Sequence, residues 1–282
     1  MILYLFAIIT NSKGKISLPL LFEDEDIAAY RLHENLWMFY TKKELTNAIF
    51  IIEGRDKALI IDSGTYVKDL PSKISKITKK TQILALTHGH SDHSGSVNQF
   101  KTVYISPSDK QMLFDYKGVI IEVDDGDIID IGEKTIQVIG LYGHTEGSIG
   151  FLDIEDRWLF TGDAIGSSSL WMQTSSLPLE AALDVFWRIE DIEDGFDEIY
   201  VGHYAELDCI ANMTYVKKME KLVETILYTK GNYTIQPFGL PFFPNVVAVS
   251  LNGVQIVFNI ENLYYKSKAE DEKINKQNKE DY

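Results

Sequence analysis

A chain of 282 residues with 45% apolar and 24% charged content has the proportions of a globular protein, one large domain or one domain with appendages. A formal net charge of -15 argues against a phosphate-backbone binder, because such proteins present clustered Lys and Arg. Cys209 is the only cysteine, which excludes an intrachain disulfide framework and fits a reducing cytoplasm.

Met1 to Ile9 is apolar yet too short to cross a bilayer. It lacks the basic start and small-residue exit of a signal peptide, and reads as a strand that turns at Asn11 to Gly14 into a second. No later apolar run approaches membrane-spanning length. The acidic runs at Glu23 to Asp26, Asp124 to Asp130 and Glu190 to Glu198 read as solvated loops and helix edges. Leu36 to Tyr40, Asn47 to Glu53 and Ala58 to Ile61 predict three strands, being rich in β-branched and aromatic residues, with Gly54-Arg55-Asp56 as a turn. Val67 to Lys80 predicts a helix, since Leu70, Ile74 and Ile77 recur at helical spacing. Gln82 to Leu86 is a short, nearly continuous apolar run, which suggests a buried strand.

The same grammar then recurs. Val103 to Ser106 is a predicted strand and Pro107 to Tyr116 a predicted helix. Val119 to Val123, Thr135 to Ile139, Ser148 to Ile154 and Trp158 to Phe160 are further strands. Glu180 to Asp191 is a helix with Leu183, Phe186 and Trp187 expected inside, and Glu198 to Val201 another strand. Leu207 to Lys230 is a long helix with one apolar stripe facing the core and Cys209 packed as a small hydrophobe. Strands flanked by helices in two successive halves imply sheets covered outside by helices, an α+β protein. From Asn232 the pattern changes. Val246 to Leu251 and Val254 to Asn259 predict a hairpin about Asn252-Gly253. That hairpin is expected to pair with the N-terminal strands in a small appended sheet, or to form a homodimer contact. The expected organisation is one domain over residues 1–265, with the N-terminal strands and residues 232–265 appended. Lys266 to Tyr282, almost entirely charged or amide, is expected to be a frayed helix or disordered.

Five of the six histidines fall in one ordered set. His88, His90, Asp92 and His93 sit inside THGHSDH, and His144, Asp163 and His203 follow. Imidazole and carboxylate hold zinc-type metals, and seven such groups are enough for two ions sharing a bridge. His88 and His90 are two apart, so in an extended segment both rings point the same way from the end of the Gln82 to Leu86 strand. Asp92 and His93 lie one turn further on and face a second position. His144, Asp163 and His203 each stand just past a predicted strand with a glycine beside them, which brings them to one sheet edge. The sixth histidine, His33, reads as an exposed loop residue without a role.

THGHSDH at Thr87 to His93, GHTEGS at Gly143 to Ser148, TGDAIG at Thr161 to Gly166, VGH at Val201 to His203 and LIIDSG at Leu59 to Gly64 together resemble the metallo-β-lactamase superfamily. The resemblance covers about residues 34 to 205. It implies a four-layer αββα sandwich with a dinuclear site among the loops of the two sheets. By this resemblance His88, His90 and His144 hold one metal, Asp92, His93 and His203 hold the other, Asp163 bridges, and Asp62 orients ligands. Two divalent ions are implied, with zinc expected and iron or manganese compatible with the donors. The implied chemistry is hydrolysis of a small-molecule ester, thioester or lactone by a metal-bridging hydroxide, since metal binding lowers the pKa of water from 15.7 toward ~7. Asp92 is then a catalytic group as well as a ligand, passing a proton to the leaving group.

Departures from subfamilies narrow this expectation. Asp163 stands where the best-known β-lactamases of the superfamily carry cysteine, which argues against antibiotic hydrolysis. The glyoxalase II branch resembles the chain through THxHxDH, but its Gly-Cys-Gly-Arg-like stretch is replaced here by Ala164 to Ser169. A tRNA-processing role would want a basic surface, and neither nucleic acid nor membrane is an expected partner. Trp171 and Met172 are expected either to line a substrate pocket or to pack under the loop, and Tyr204 to donate a hydrogen bond to substrate or ligand. A different class, a non-haem iron oxidoreductase resembling persulfide dioxygenases, uses fewer protein ligands on one iron, and the full set of seven disfavours it. A non-catalytic binding protein on the same fold is disfavoured because no ligand position is lost.

Overall fold

Neighbouring residues of the central strands are buried on opposite faces of one sheet. Leu36, Met38, Phe50, Ile52, Leu59 and Ile61 face inward, while Trp37, Phe39, Ile49, Ile51, Ala58 and Ile60 face outward, and both sets are buried. A strand covered on both faces needs an unbroken apolar run, which is what these segments carry. The computed structural model describes residues 9–10, 16–17, 19–43, 46–167, 169–173, 175–203, 211–229, 233–238 and 245–265.

The larger sheet has eight strands, in the order Val119–Glu122, Thr102–Ile105, Thr81–Ala85, Lys57–Ile61, Ala48–Glu53, Leu36–Thr41, Ile27–His33 and Leu20–Glu23. Its first four run parallel and the rest pair antiparallel. A second sheet of five strands runs Ile128–Asp130, Thr135–Gly140, Ile149–Asp153, Trp158–Gly162 and Glu198–Val201. The inner faces meet in one core, where Phe50 lies 5.1 Å from Phe160 and 5.4 Å from Tyr200, ring to ring. Val67, Leu70, Ile74, Val97 and Phe100 cover the outside of the larger sheet. Helices Ala181–Asp191 and Met213–Tyr228 pack into the core from the other side. The architecture is therefore a four-layer αββα sandwich. The last helix starts where the Asn212 side chain accepts from Tyr215 N–H at 3.1 Å.

The rims of the sandwich are joined. At one end Ala48 N–H donates to Gly202 O at 2.7 Å. At the other His33 Nε2 lies 3.0 Å from both Glu198 Oε2 and Tyr200 Oη, with its ring stacked on Trp158 at 4.8 Å. His33 is thus a half-buried strand residue linking the two sheets, not an exposed loop residue.

Several expectations change. The helix expected over Val67 to Lys80 is only Leu70–Ile74, beyond which Lys76 and Ile77 N–H bond three residues back, to Lys73 O and Ile74 O. Pro107 to Tyr116 holds a short 3-10 turn, Lys110–Leu113. Trp187 is 47% exposed rather than inside, its Nε1 donating to Glu220. The hairpin does not pair with the N-terminal strands: Val254–Asn259 pairs with Ser169–Met172, and Val246–Leu251 with Ile235–Pro237. Ile9–Thr10 pairs with Ile16–Ser17, while residues 1–8, 11–15, Cys209 and the tail from Lys266 lie outside the described residues. No described helix is long and apolar enough to cross a membrane.

Asp26, expected in a solvated run, is buried and pairs with Lys43 at 2.7 Å and Lys73 at 3.3 Å. The Lys43 hydrogen bond lowers its pKa against the opposing pull of burial, and Lys73 adds to it. A lowered folded-state pKa contributes stability above the unfolded value, near ~3.9, and loses it as pH falls through the folded value. Asp26→Asn should therefore cost about 2–3 kcal/mol in urea unfolding at pH 7. The gap from wild type should close below about pH 4, and a gap independent of pH would refute this account.

Candidate metal centre

The strand ends that lie over one rim carry the chemistry-bearing residues. Lys57–Ile61 runs into Asp62, Thr81–Ala85 into Thr87 and His88, Trp158–Gly162 into Asp163, and Glu198–Val201 into His203. His144 follows Thr135–Gly140, and His90 precedes the single-turn helix Ser91–Ser94 that carries Asp92 and His93. Their potential ligand atoms form three groups, each within 4.8 Å: His88, His90 and His144; His88, His93 and Asp163; and Asp92, His93 and His203. The seven residues singled out in the sequence are thus brought together.

The outer nitrogen of four rings is committed elsewhere. His144 Nδ1 lies 2.7 Å from the Trp171 carbonyl, which can only accept, so this nitrogen carries the proton and Nε2 is bare. His203 Nδ1 is bonded in the same way to Thr46 O. His93 Nδ1 meets Asp62 Oδ2 at 2.7 Å. Thr87 Oγ1 uses its own proton on the Asp62 carboxylate at 2.8 Å, so it accepts from His88 Nδ1 at 3.1 Å. Each of these rings turns Nε2 inward, the nitrogen that binds a metal once it carries no proton.

Three ring nitrogens consequently converge, His88 Nε2 and His144 Nε2 standing 3.0 and 2.9 Å from His90 Nδ1. The edge of a tetrahedral zinc site with 2.0–2.1 Å bonds is about 3.3 Å, close to this spacing. Asp163 Oδ2 lies 3.3 Å from both His93 Nε2 and His203 Nε2 and 3.8 Å from His144 Nε2. Asp92 Oδ2 is 3.7 Å from the same His93 and His203 nitrogens. Among the described residues, His93 Nε2 and Asp163 Oδ1 are buried without a hydrogen-bond partner. The 3.3 Å approach of His93 Nε2 to Asp163 Oδ2 is an ion-pair distance that does not make a hydrogen bond. Buried polar atoms are seldom left so, and a cation among them would satisfy both. A side chain at Gly202 would strike Asp163 Oδ1 and His93 Cε1, so only glycine lets the backbone pass there. Donor types, tautomers and orphaned atoms all fit a metal pair.

Burial pulls the His88 ring well below its ordinary pKa and, with His144, takes His90 down to about 4. Burial also opposes charge on His93 and His203, but Asp163 outweighs it, raising His93 well above its ordinary value and His203 to about 9. Asp163 is held well below the usual carboxylate range because His93 and His203 outweigh its burial.

Sequence reasoning missed Asp109. Its carboxylate, 2% exposed, accepts from Gly89 N–H at 2.8 Å, Thr145 Oγ1 at 2.7 Å and Gly147 N–H at 3.0 Å. It thereby ties the loop bearing His88 and His90 to the loop bearing His144. No spacing rule marks an aspartate just ahead of a 3-10 turn as such a tie. Asp62 stands in a left-handed conformation, φ 62°, and holds Thr87 and His93 together. Of the expected pocket residues, Met172 is 2% exposed and belongs to the core, so it offers no surface to a substrate. Trp171 is half-buried on the opposite face of its strand, 4.9 Å from the Phe238 ring, and Tyr204 lies outside the described residues.

Two outcomes test this geometry. Zinc added near pH 7.5 should displace about one or two protons from His93 and His203, read as a dependence of calorimetric heat on buffer ionisation enthalpy. Zero release would contradict the charge states assigned here. Asp109→Ala strands three donors and should lower stability by about 3 kcal/mol in urea unfolding, whereas a change below about 0.5 kcal/mol would show the tie to be idle.

Comparison with known proteins agrees with this geometry. Residues 43–214 match the metallo-beta-lactamase superfamily. Hydroxyacylglutathione hydrolase GloC of Haemophilus influenzae is 29% identical, in a match covering 42% of this chain and 66% of that protein. Human acyl-coenzyme A thioesterase MBLAC2 is 24% identical, over 49% of this chain and 66% of that protein. The chain thus spans just under two thirds of the length of these two relatives. The solved metallo-beta-lactamase from Pontibacter korlensis shares the fold, with a TM-score of 0.60 at 14% identity over 70% of this chain and 98% of that one. With more than half its length inside the family match, the chain belongs to the metallo-beta-lactamase superfamily.

Proposed function

We propose that this chain is a hydrolase of small-molecule thioesters, or of the related esters and lactones, working with two divalent ions. The observation that carries this reading is the place of Asp163, whose Oδ2 is 3.3 Å from His93 Nε2 and His203 Nε2 and 3.8 Å from His144 Nε2. A carboxylate standing between two sets of inward-facing ring nitrogens is the arrangement a shared ligand requires. His88, His90 and His144 would hold one ion, and Asp92, His93 and His203 the other. Zinc suits imidazole and carboxylate donors best. Ions bound there supply Lewis acidity and bring the pKa of water from 15.7 toward about 7.

The residues of the chain do the positioning. Asp62 fixes the His93 ring and, through Thr87, the His88 ring. The Asp92 carboxylate, near the inner nitrogens of His93 and His203, is placed to hand a proton to the departing sulfur or oxygen. Thioesters rank first because one relative is named as an acyl-coenzyme A thioesterase and another as a hydroxyacylglutathione hydrolase. The lone Cys209 supports a reducing compartment such as the cytoplasm.

Metal analysis of the purified protein beside a panel of acyl thioesters, lactones and chromogenic esters tests the reading. Two zinc ions per chain and thioester turnover are expected, while one iron with oxygen consumption would overturn it. Asp163→Ala should cut metal content toward one ion per chain. Its turnover should fall by more than the roughly 10–100-fold typical of a residue that only orients a ligand. Unchanged activity would refute the bridge.

A further inference from the structure

Both contacts that orient His144 come from a short stretch just after the Asp163 loop. Its ring nitrogen Nδ1 is 2.7 Å from Trp171 O, and its own carbonyl accepts from Ser176 Oγ at 2.8 Å. Leu177 N–H also donates to the neighbouring Gly143 O at 2.9 Å. This stretch is held in turn by the C-terminal part of the chain. Among the described residues, Ser169–Met172 is an edge strand whose one neighbour in its sheet is Val254–Asn259, with Trp171 paired opposite Val257. Just beyond that hairpin, Asn262 Nδ2 donates to Ser176 O at 3.1 Å and Asn262 O accepts from Leu179 N–H at 2.9 Å. Residues 246–263 all lie beyond the family match, which ends at residue 214.

We propose that the C-terminal hairpin and the Asn259 to Leu263 segment act as a positioning element of the metal centre, fixing His144 through Trp171 and Ser176. The hairpin sets the Trp171 carbonyl, which holds the proton of His144 on Nδ1 and leaves Nε2 for metal. Asn262 sets Ser176, which fixes the backbone on which that ring is mounted. Groups that orient a ligand are typically worth 10–100-fold in metal affinity, and here they rest on a part of the chain remote in sequence from every ligand. The inference rests on the reading of His144 as a ligand.

The test uses full-length Ser176→Ala, Ser176→Thr, Asn262→Ala and Asn262→Asp variants, titrated with zinc against a chromogenic chelator and with cobalt by absorption spectroscopy. In Ser176→Ala one of two zinc ions should bind about tenfold or more weakly while the other keeps wild-type affinity, with a shifted cobalt band. Asn262→Ala and Asn262→Asp should move the same ion in the same direction. Ser176→Thr, which keeps the hydroxyl, should restore binding. Should the alanine variants fold poorly, Asn262→Asp keeps the shape and replaces the donor with a charged acceptor that cannot bond the Ser176 carbonyl. Two tight ions and an unshifted spectrum in folded Ser176→Ala and Asn262→Asp would overturn the inference alone. Failure of the wild type to bind any ion would overturn both this inference and the hydrolase reading.

Discussion

Gathering ionisable groups out of water at one rim of a two-sheet core is the constraint that the rest of the structure serves. Buried charge is costly unless every group has a partner. The chain answers by giving the outer nitrogens of His88, His93, His144 and His203 fixed acceptors, so that their inner nitrogens face one another. What is left unmatched at this rim among the described residues, His93 Nε2 and Asp163 Oδ1, is the place where a positive ion would complete the set. The sandwich itself makes this possible, because its parallel strands end side by side and each delivers one loop to the same rim.

Two carboxylates that are not themselves in the ligand set do most of the alignment. Asp62 reaches across from one strand end to the next, taking the Thr87 backbone and hydroxyl and the His93 ring. Asp109 does the same work between the larger sheet and the second one, through Gly89 and the Thr145 to Gly147 turn. Each is held by several donors aimed at one carboxylate. The aim of the histidines is therefore set by hydrogen bonds one residue removed from them.

Much of this was legible in the amino-acid order, for physical reasons. Strands buried on both faces carry unbroken apolar runs, so Ala48–Glu53, Lys57–Ile61 and Thr81–Ala85 stand out. The ligand set stands out because histidine is rare in this chain and its spacing is tight in THGHSDH. Ser169–Met172 did not register as a strand, because its pairing partner lies more than eighty residues later and no local pattern announces it. Trp187 looked buried because it sits four residues from Leu183 on the helix, yet the buried stripe runs through Ala182, Val185, Phe186 and Ile189 and leaves it at the margin. Asp26 and His33 were hidden for the same reason as Asp109. A polar residue is recruited by whatever packs against it, and its neighbours in sequence do not say what that will be.

The links at the two rims, Ala48 to Gly202 at one and His33 to Glu198 and Tyr200 at the other, bear on how the molecule can move. Two plates fastened along both margins cannot splay like the covers of a book. The residues gathered at the rim between these two fastenings, His88, His93, Asp163 and His203 among them, therefore sit on a floor that resists opening. A change in the loops above need not alter the spacing of the ring nitrogens and carboxylates below them.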